Sequence, residues 1–313
     1  MIRFVARRLI LAVPTLLIVS VFVFGLQKLM PGDAAIALAG EERNTEIIEF
    51  IREKYRLNDP LPQQYWAWLS SAVAGDLGES MKLGSAVGPL IAQKLVVTLQ
   101  LSLMAMVVAL AIGIPAGILA AVRKGTVWDW LANIFALSGL SIPNFWLGIL
   151  LILFFSIQLR WLPASGYVPI WEDPLASLAA LIMPAFVLGT AIAGMLMRHT
   201  RSAMLEVLRA DYIRTARAKG ISERRVILIH GLRNALAPIV TFSSVIFGEL
   251  LAGAVLTEQV FNIPGMGKLI VDSVYNRDYA VVQGVVLVSA LIFLVVNLLA
   301  DILNLLLNPK VQA

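Results

Sequence analysis

Apolar runs long enough to cross a lipid bilayer recur along this chain. A transmembrane helix needs roughly 20 consecutive apolar residues, and six stretches approach or exceed that length: about 9–29, 97–121, 131–157, 176–198, 236–257 and 280–306. Charged residues occupy only 14% of the 313 positions, where a soluble domain has about a quarter. The sequence therefore predicts an all-α membrane protein with six transmembrane helices.

The first apolar run could be mistaken for a cleaved signal peptide. It extends from Leu9 to Leu26, beyond the ~7–15 residues of a signal core, and Pro31-Gly32-Asp33 separates it from the cleavage-like triplet Ala35-Ile36-Ala37. We therefore predict that residues 1–30 comprise the N-terminal end and a retained first span. Residues 31–95 are predicted as an extracytoplasmic helical segment, and residues 96–313 as a core of five further spans.

Two helices are predicted within the extracytoplasmic segment. Residues 45–56 form a charged pattern, and Leu61 to Val73 form an amphipathic one with a tyrosine and two tryptophans. Tyr and Trp are enriched at membrane interfaces, so the second helix is expected to lie there. A turn is predicted from Gly75 to Ser80, where the chain returns towards the membrane.

Positive charge is concentrated between the fourth and fifth spans, in residues 198–238. This segment contains nine Lys or Arg and three acidic residues, a net charge of +6, whereas the whole chain carries +5. Because short basic loops remain on the cytoplasmic side, we predict that this segment and both termini are cytoplasmic. Aromatic residues are not interleaved with the basic ones, which argues against nucleic-acid binding.

The basic segment is predicted to form two short helices joined at a glycine. Asp211 is placed to cap the first helix, on which Ile213 and Ala216 share a face. Gly220 tolerates the left-handed conformation that ends a helix, and Ser222 can cap the second. From charge and spacing alone, the segment is either a docking site for a partner protein or a loop that only fixes topology.

Polar groups at mid-membrane are candidates for a translocation path. Ser138, Ser141 and Asn144 surround a proline in the third span, where we expect a kink, and Ser244 and Glu249 lie in the fifth. The alternative is that these groups serve packing, with their hydrogen bonds satisfied locally.

Two further acids lie at the ends of spans. Asp301, near the inner end of the sixth, is expected to pair with a basic residue, and Glu258, at the outer end of the fifth, is expected to be solvated.

The chain lacks any motif for catalysis or for a cofactor. It has no cysteine, and its two histidines, His199 and His230, form too weak a pattern to predict a metal. Gly265-Met266-Gly267-Lys268 lacks both the spacing of a phosphate-binding loop and the Ser or Thr after its lysine. We predict that the chain is not an enzyme.

Several motifs resemble those of one family of transporters. The run Asp211-Tyr212-Ile213-Arg214-Thr215-Ala216-Arg217-Ala218-Lys219-Gly220 resembles the coupling-helix loop of ABC importer permeases, most of all those of the dipeptide/oligopeptide branch. Only Ala216 and Gly220 fit the wider Glu-Ala-Ala, three residues, Gly pattern of importers. Other motifs similar to this branch are Leu232-Arg233-Asn234-Ala235 with Pro238, Pro31-Gly32-Asp33, Gly75-Asp76-Leu77-Gly78, residues 161–166, residues 261–267, and Asn308-Pro309.

The resemblance implies a permease subunit of a binding-protein-dependent importer in the bacterial inner membrane, moving di- or oligopeptides by ATP-driven alternating access. It implies a second, related permease chain, two cytoplasmic ATP-binding subunits that hydrolyse ATP, and an extracytoplasmic solute-binding protein. It also implies coupling to the ATPase through a defined set of residues: Asp211, Tyr212, Arg214, Ala216, Arg217 and Gly220.

Three alternatives remain open. The same branch includes carriers for glutathione, opines and nickel chelates, and residues 229–234 look slightly closer to glutathione-type or dipeptide-type members. An ATP-independent secondary transporter or channel would need an ion-coupling site or a selectivity ring inside the spans. A membrane anchor for a cytoplasmic ATPase would have no need of polar groups at mid-membrane.

Overall fold

The structure, a computed structural model, describes residues 2–29, 44–54 and 56–307. Pro31-Gly32-Asp33, Ala35-Ile36-Ala37 and Asn308-Pro309 lie outside these ranges. The described helices are α1 (Ile2–Leu29), α2 (Thr45–Lys54), α3 (Leu61–Val73), α4 (Val87–Val122), α5 (Val127–Ser141), α6 (Asn144–Leu151), α7 (Pro174–Leu208), α8 (Asp211–Ala218), α9 (Glu223–Arg225), α10 (Arg233–Gly253), α11 (Val255–Val260), α12 (Met266–Tyr275) and α13 (Tyr279–Leu307). Two π-helical stretches add to them: Ile152–Gln158 follows α6, and Val226–Leu232 joins α9 to α10.

Five helical stretches in the described part of the chain are long and apolar enough to cross a membrane. They are Val5–Gly25, Val87–Val122, Pro174–Leu208, Glu223–Leu251 and Tyr279–Leu303. A bent pair, Val127–Ser141 with Asn144–Gln158, supplies a sixth crossing if its two halves count as one span. The fold is thus the all-helical membrane architecture that the apolar runs predict.

The third span is not the single helix that residues 131–157 suggest. Its two halves meet at 96°, a much sharper change of direction than a kink. The break falls at Ile142, which is extended (φ −80°, ψ 121°), directly before Pro143. A proline disfavours helical geometry in the residue before it and lacks an N–H to continue the ladder, so α5 ends there.

The second and fourth spans are longer than their apolar runs. α4 has 36 residues and begins at Val87, and α7 has 35 residues and continues to Leu208. At 1.5 Å per residue α7 is about 52 Å long, well beyond the ~30 Å hydrocarbon core. The apolar pattern marks only the part of a helix that lies in lipid. As a consequence, the basic residues at the end of α7 are carried on the same rigid helix that crosses the membrane.

α7 is the centre of the bundle and packs closely on α4 and α5 through small residues. A Cβ at Gly117 would lie 2.6 Å from the Cβ of Thr200, and one at Gly194 would lie 2.6 Å from the carbonyl oxygen of Ala136. Small residues allow helix backbones to approach in lipid, where no hydrophobic effect drives the helices together. The three helices therefore form one tightly packed unit.

The amphipathic helix of the outer segment is α3, with the bounds Leu61–Val73 that its pattern predicts. The Tyr65 and Ser20 hydroxyls are hydrogen-bonded (2.8 Å), and the Phe24 ring lies 5.5 Å from the Tyr65 ring and 6.1 Å from that of Trp68. α3 is thereby held against the end of α1, while Trp66 remains exposed.

An ion pair joins the first and last spans. Arg8 of α1 lies 2.9 Å from Asp301 of α13. The prediction that Asp301 pairs with a basic residue is confirmed.

Candidate functional site

The candidate site is built around α8, a short helix between two spans. The helix begins at Asp211, one residue earlier than predicted, because Ala210 and not Asp211 occupies the N-cap position. The Asp211 side chain makes no cap hydrogen bond and is almost fully exposed, 3.7 Å from Arg214. A carboxylate in the first turn still interacts favourably with the helix dipole, so Asp211 contributes through its charge and not as the N-cap.

One face of α8 is buried against its own chain. Ile213 is completely buried and Ala216 nearly so, and both pack with Val226 and Ile221. Ala216 therefore packs α8 against the segment that follows the helix, and the Ala216 side chain does not lie on an open surface. The exposed face carries the other predicted coupling residues: Asp211, Tyr212, Arg214, Arg217 and Gly220.

The end of α8 is fixed by Gly220, which has the left-handed φ of +74° that the sequence predicts. The Gly220 N–H donates to the carbonyl of Arg217 (2.9 Å), and the Ile221 N–H donates to that of Ala216 (3.3 Å). This is the Schellman arrangement, in which a glycine lets the chain reverse and satisfies the last carbonyls. Among the described residues, no atom lies within 4 Å of where a Cβ at Gly220 would be, so the position faces open space in that part of the chain.

The second helix of the basic segment is not a separate short helix as predicted. Ser222 does occupy the N-cap position, but its side chain makes no cap hydrogen bond. Glu223 instead accepts two hydrogen bonds from the Arg217 guanidinium (2.6 and 3.0 Å), which ties the turn to α8. From α9 the chain continues through the π-helical stretch directly into α10. α8 is therefore attached on one side to α7 and on the other to the fifth span.

An ion pair near the α8 end of the bundle was not predicted from the sequence. The Arg201 guanidinium of α7 donates through Nε and Nη2 to the two carboxylate oxygens of Asp129 in α5, each at 2.8 Å. Asp129 lies in an apolar stretch next to two tryptophans. An ionisable residue there is the only sequence signal that marks it.

The five candidate path residues do not converge in this single chain. Ser138 and Ser141 are exposed on α5, Asn144 is half-buried at the start of α6, and Glu249 is exposed on α10. The Ser244 hydroxyl donates to the Val240 carbonyl of its own helix (2.9 Å). A cavity of about 960 Å³ lies between α3 and the N-terminal end of α13, but none of these five residues lines it.

Glu258 is not solvated, contrary to expectation; it is completely buried. Its carboxylate accepts hydrogen bonds from the Thr98 hydroxyl (2.7 Å) and from the backbone N–H groups of Lys268 (2.8 Å) and Gly267. The Thr98 oxygen in turn accepts from the Met266 N–H (2.8 Å). Glu258 thus caps the N-terminus of α12 and fastens the outer loop to α4. Burial raises the pKa of the Glu258 carboxyl more than these hydrogen bonds lower it.

Replacing Glu258 with alanine is expected to destabilise the protein by about 1–3 kcal/mol, because buried donors lose their acceptor. The thermal midpoint of the purified protein in detergent should fall, and Glu258→Gln, which keeps one acceptor oxygen, should fall less. Glu172→Ala removes an exposed carboxylate and serves as the control. Equal midpoints for Glu258→Ala and Glu172→Ala would contradict the buried network.

One of the two histidines, His199, packs against an aromatic ring. The His199 ring stacks on Phe242 with centroids 3.7 Å apart. Within residues 2–29, 44–54 and 56–307, no three His, Asp or Glu side chains come together in a group that could hold a metal ion.

Comparison with known families decides which kind of membrane protein carries this arrangement. Residues 113–313 match the family described as binding-protein-dependent transport system inner membrane component, and residues 1–102 match the N-terminal region of the same kind of component. The chain belongs to this family. It is a multi-pass permease subunit of a bacterial ABC importer, a membrane component without catalytic activity of its own.

Individual relatives place the permease within the peptide and glutathione branch. It is 44% identical, over 312 residues, to the glutathione transport system permease protein GsiC of Escherichia coli K12 and to that of Shigella dysenteriae serotype 1. Each alignment covers 100% of this chain and 99% of the relative.

Solved structures of transporters share the fold. The inward-facing MetNI methionine ABC transporter superposes with a TM-score of 0.57 at 20% identity, over 70% of this chain and 96% of that one. An amino acid ABC transporter superposes with a TM-score of 0.52 at 14% identity, over 69% and 93% of the two chains.

Proposed function

We propose that this permease moves short peptides, glutathione among them, into the bacterial cytoplasm by ATP-driven alternating access. The observation that supports it best is the 44% identity to glutathione permeases along the whole chain. The motifs of the dipeptide/oligopeptide branch support the wider class of short peptides. Opines and nickel chelates are less well supported, since the relatives named above are glutathione permeases.

The proposed complex contains a second, related permease chain, two cytoplasmic ATP-binding subunits and an extracytoplasmic solute-binding protein. α10 supports the pairing of permeases, because it presents Glu249 on a face that this chain leaves exposed. An ionisable residue is costly against lipid, so a protein or water-filled surface is expected there.

The proposed orientation places α8 and both termini in the cytoplasm. Exposed tryptophans support a membrane between two belts: Trp128 and Trp130 at the end that carries α8, and Trp161 and Trp171 at the other. The basic segment lies at the same end of the bundle as the first belt, because its Arg201 bonds Asp129 between the two tryptophans, and the positive-inside rule places that end in the cytoplasm.

In the proposed mechanism, α8 is the coupling helix. Its exposed residues Tyr212, Arg214 and Arg217 contact the ATP-binding subunit, while Ile213 and Ala216 hold the helix on the permease. ATP binding shifts the equilibrium towards the outward-open state because it favours one arrangement of the two ATP-binding subunits. Since only short turns, residues 209–210 and 219–222, separate α8 from the fourth span and from the helical stretch that leads into the fifth, that movement reaches the membrane without a long linker.

A secondary transporter would need an acid free to bind the coupling ion. Asp301 and Asp129, both within the described spans, are engaged in ion pairs, which leaves Glu249 as the better candidate there. The ion pairs therefore argue against Asp301 and Asp129 as ion-coupling sites, and a secondary transporter would depend on Glu249.

The substrate is tested by uptake into cells with and without the gene. Labelled glutathione should accumulate only when the gene is present, and unlabelled glutathione and short peptides should compete. A nickel chelate and an opine should not compete. Unchanged glutathione and dipeptide uptake on deletion would overturn the peptide assignment.

A further inference from the structure

The ion pair between Asp129 and Arg201 has more hydrogen bonds and is more buried than a surface contact. Besides the two hydrogen bonds from the guanidinium, the carboxylate accepts from the Gly125 N–H (3.0 Å) and from the Asn133 side-chain amide (3.0 Å). The Asp129 side chain is only 10% exposed and that of Arg201 26%. A bidentate pair of this kind fixes the relative orientation of the two groups as well as their distance.

The pair joins two elements that matter for transport. Arg201 lies near the end of α7, ten residues before α8 begins. Asp129 lies in the first turn of α5, the inner half of the broken span. Along the rest of their length α5 and α7 are in close contact: a Cβ at Gly139 would lie 2.8 Å from the carbonyl oxygen of Thr190.

The outer half of the broken span also packs on α7, and it has a further neighbour in the loop after α11. A Cβ at Gly148 of α6 would lie 3.1 Å from the ring of Phe261, which is buried in the outer loop next to α11. Phe261 follows Glu258, whose carboxylate fastens this loop to α12 and α4. The outer half of the third span thus contacts this loop as well as α7, and the break at Ile142 and Pro143 separates it from the inner half.

We propose that Asp129 and Arg201 are positioning residues that make α5 follow α7 and the coupling helix during transport. Ser141, at the end of α5, is then carried with this movement. This inference rests on the proposed function, because it assigns the route by which the coupling helix reaches the path.

The choice of charged residues supports a positional role. A buried ion pair contributes little net stability compared with apolar residues of similar size, since both charges lose their water. Its advantage is specificity: the fork of the guanidinium and the two carboxylate oxygens admit one register of α5 against α7. An apolar contact at the same place would lack this directional constraint.

The test measures ATP hydrolysed per solute imported by the complete complex, isolated with its native partners and reconstituted in liposomes. In Asp129→Asn the ratio should rise by a factor of about 5–150, the range of ordinary coupling free energies. Basal hydrolysis and the abundance of the complex should stay near wild type. Arg201→Lys keeps the charge but loses the fork, and should give an intermediate ratio.

A matched control and a rescue separate this role from simple stabilisation. Asp301→Asn breaks an ion pair of similar length at the same end of the bundle and should leave the ratio unchanged. Exchange of the two residues, Asp129→Arg with Arg201→Asp, should restore part of the coupling.

Two results would overturn the proposal. One is a wild-type ratio of ATP hydrolysed per solute imported in Asp129→Asn or Arg201→Lys, with lower abundance or lower thermal stability as the only change. The other is an equal rise in Asp301→Asn. A wild-type complex without ATP-driven uptake would instead overturn the proposed function, and this link with it.

Discussion

Gly220→Trp is expected to abolish ATP-driven uptake while the chain still reaches the membrane at normal abundance. Gly220 adopts a φ of +74°, which costs an L-residue roughly 1–2 kcal/mol. Because no atom in the described part of the permease lies within 4 Å of the missing Cβ, the indole would project from the surface of the coupling helix. It would then occupy the space in which the ATP-binding subunit is proposed to dock. Uptake of labelled glutathione, normalised to permease abundance, measures the effect.

Gly220→Asn is the matched control for that variant. Asparagine visits the left-handed region more readily than other side chains and is much smaller than tryptophan. It should retain most of the uptake, so that loss in Gly220→Trp reflects obstruction of docking and not an unravelled turn. Full uptake by Gly220→Trp would exclude docking at this surface.

Ile213→Asp is expected to have an equally large effect, through the opposite face of the same helix. Ile213 is completely buried between α8 and the chain around Val226. An unpaired carboxylate there costs several kcal/mol in addition to the roughly 1.5–3 kcal/mol of lost apolar burial. A helix of eight residues has few other contacts to offset this, so α8 should leave its seat and uptake should be lost.

Thr215→Asp introduces the same charge on the exposed face of α8 and is the control. It adds one like-charge neighbour to Asp211, worth only about 0.2–0.5 kcal/mol. Limited proteolysis within residues 209–222 should increase for Ile213→Asp and stay at the wild-type level for Thr215→Asp. Equal uptake by the two variants would show that the buried face does not matter.

Features set by local pattern could be predicted from the sequence. The bounds of α3 follow from its amphipathic period between a proline-rich start and a glycine turn, and the left-handed Gly220 follows from its place after a short helix. The break in the third span was expected at the correct residues, because Pro143 marks it, but a proline does not specify an angle of 96°. That angle depends on which neighbours hold each half.

Features that depend on contacts with other parts of the chain were not predicted from the sequence or were predicted wrongly. Glu258 looks solvated in its own sequence context, and its burial depends on Thr98, 160 residues away. The burial of Ala216 depends in the same way on Val226, because the face that a short helix turns inward is decided by what packs on it. The role of Asp129 follows only from its ion pair with Arg201, which lies on another helix.

The most direct test of the account is the energy source of uptake. Membrane vesicles that contain the complete complex allow ATP to be supplied or withheld on the cytoplasmic side. Labelled glutathione and the binding protein are placed on the extracytoplasmic side. The account predicts accumulation that requires ATP hydrolysis and is unaffected when the proton gradient is collapsed. Accumulation that proceeds without ATP, and stops when the ion gradient is removed, would contradict it.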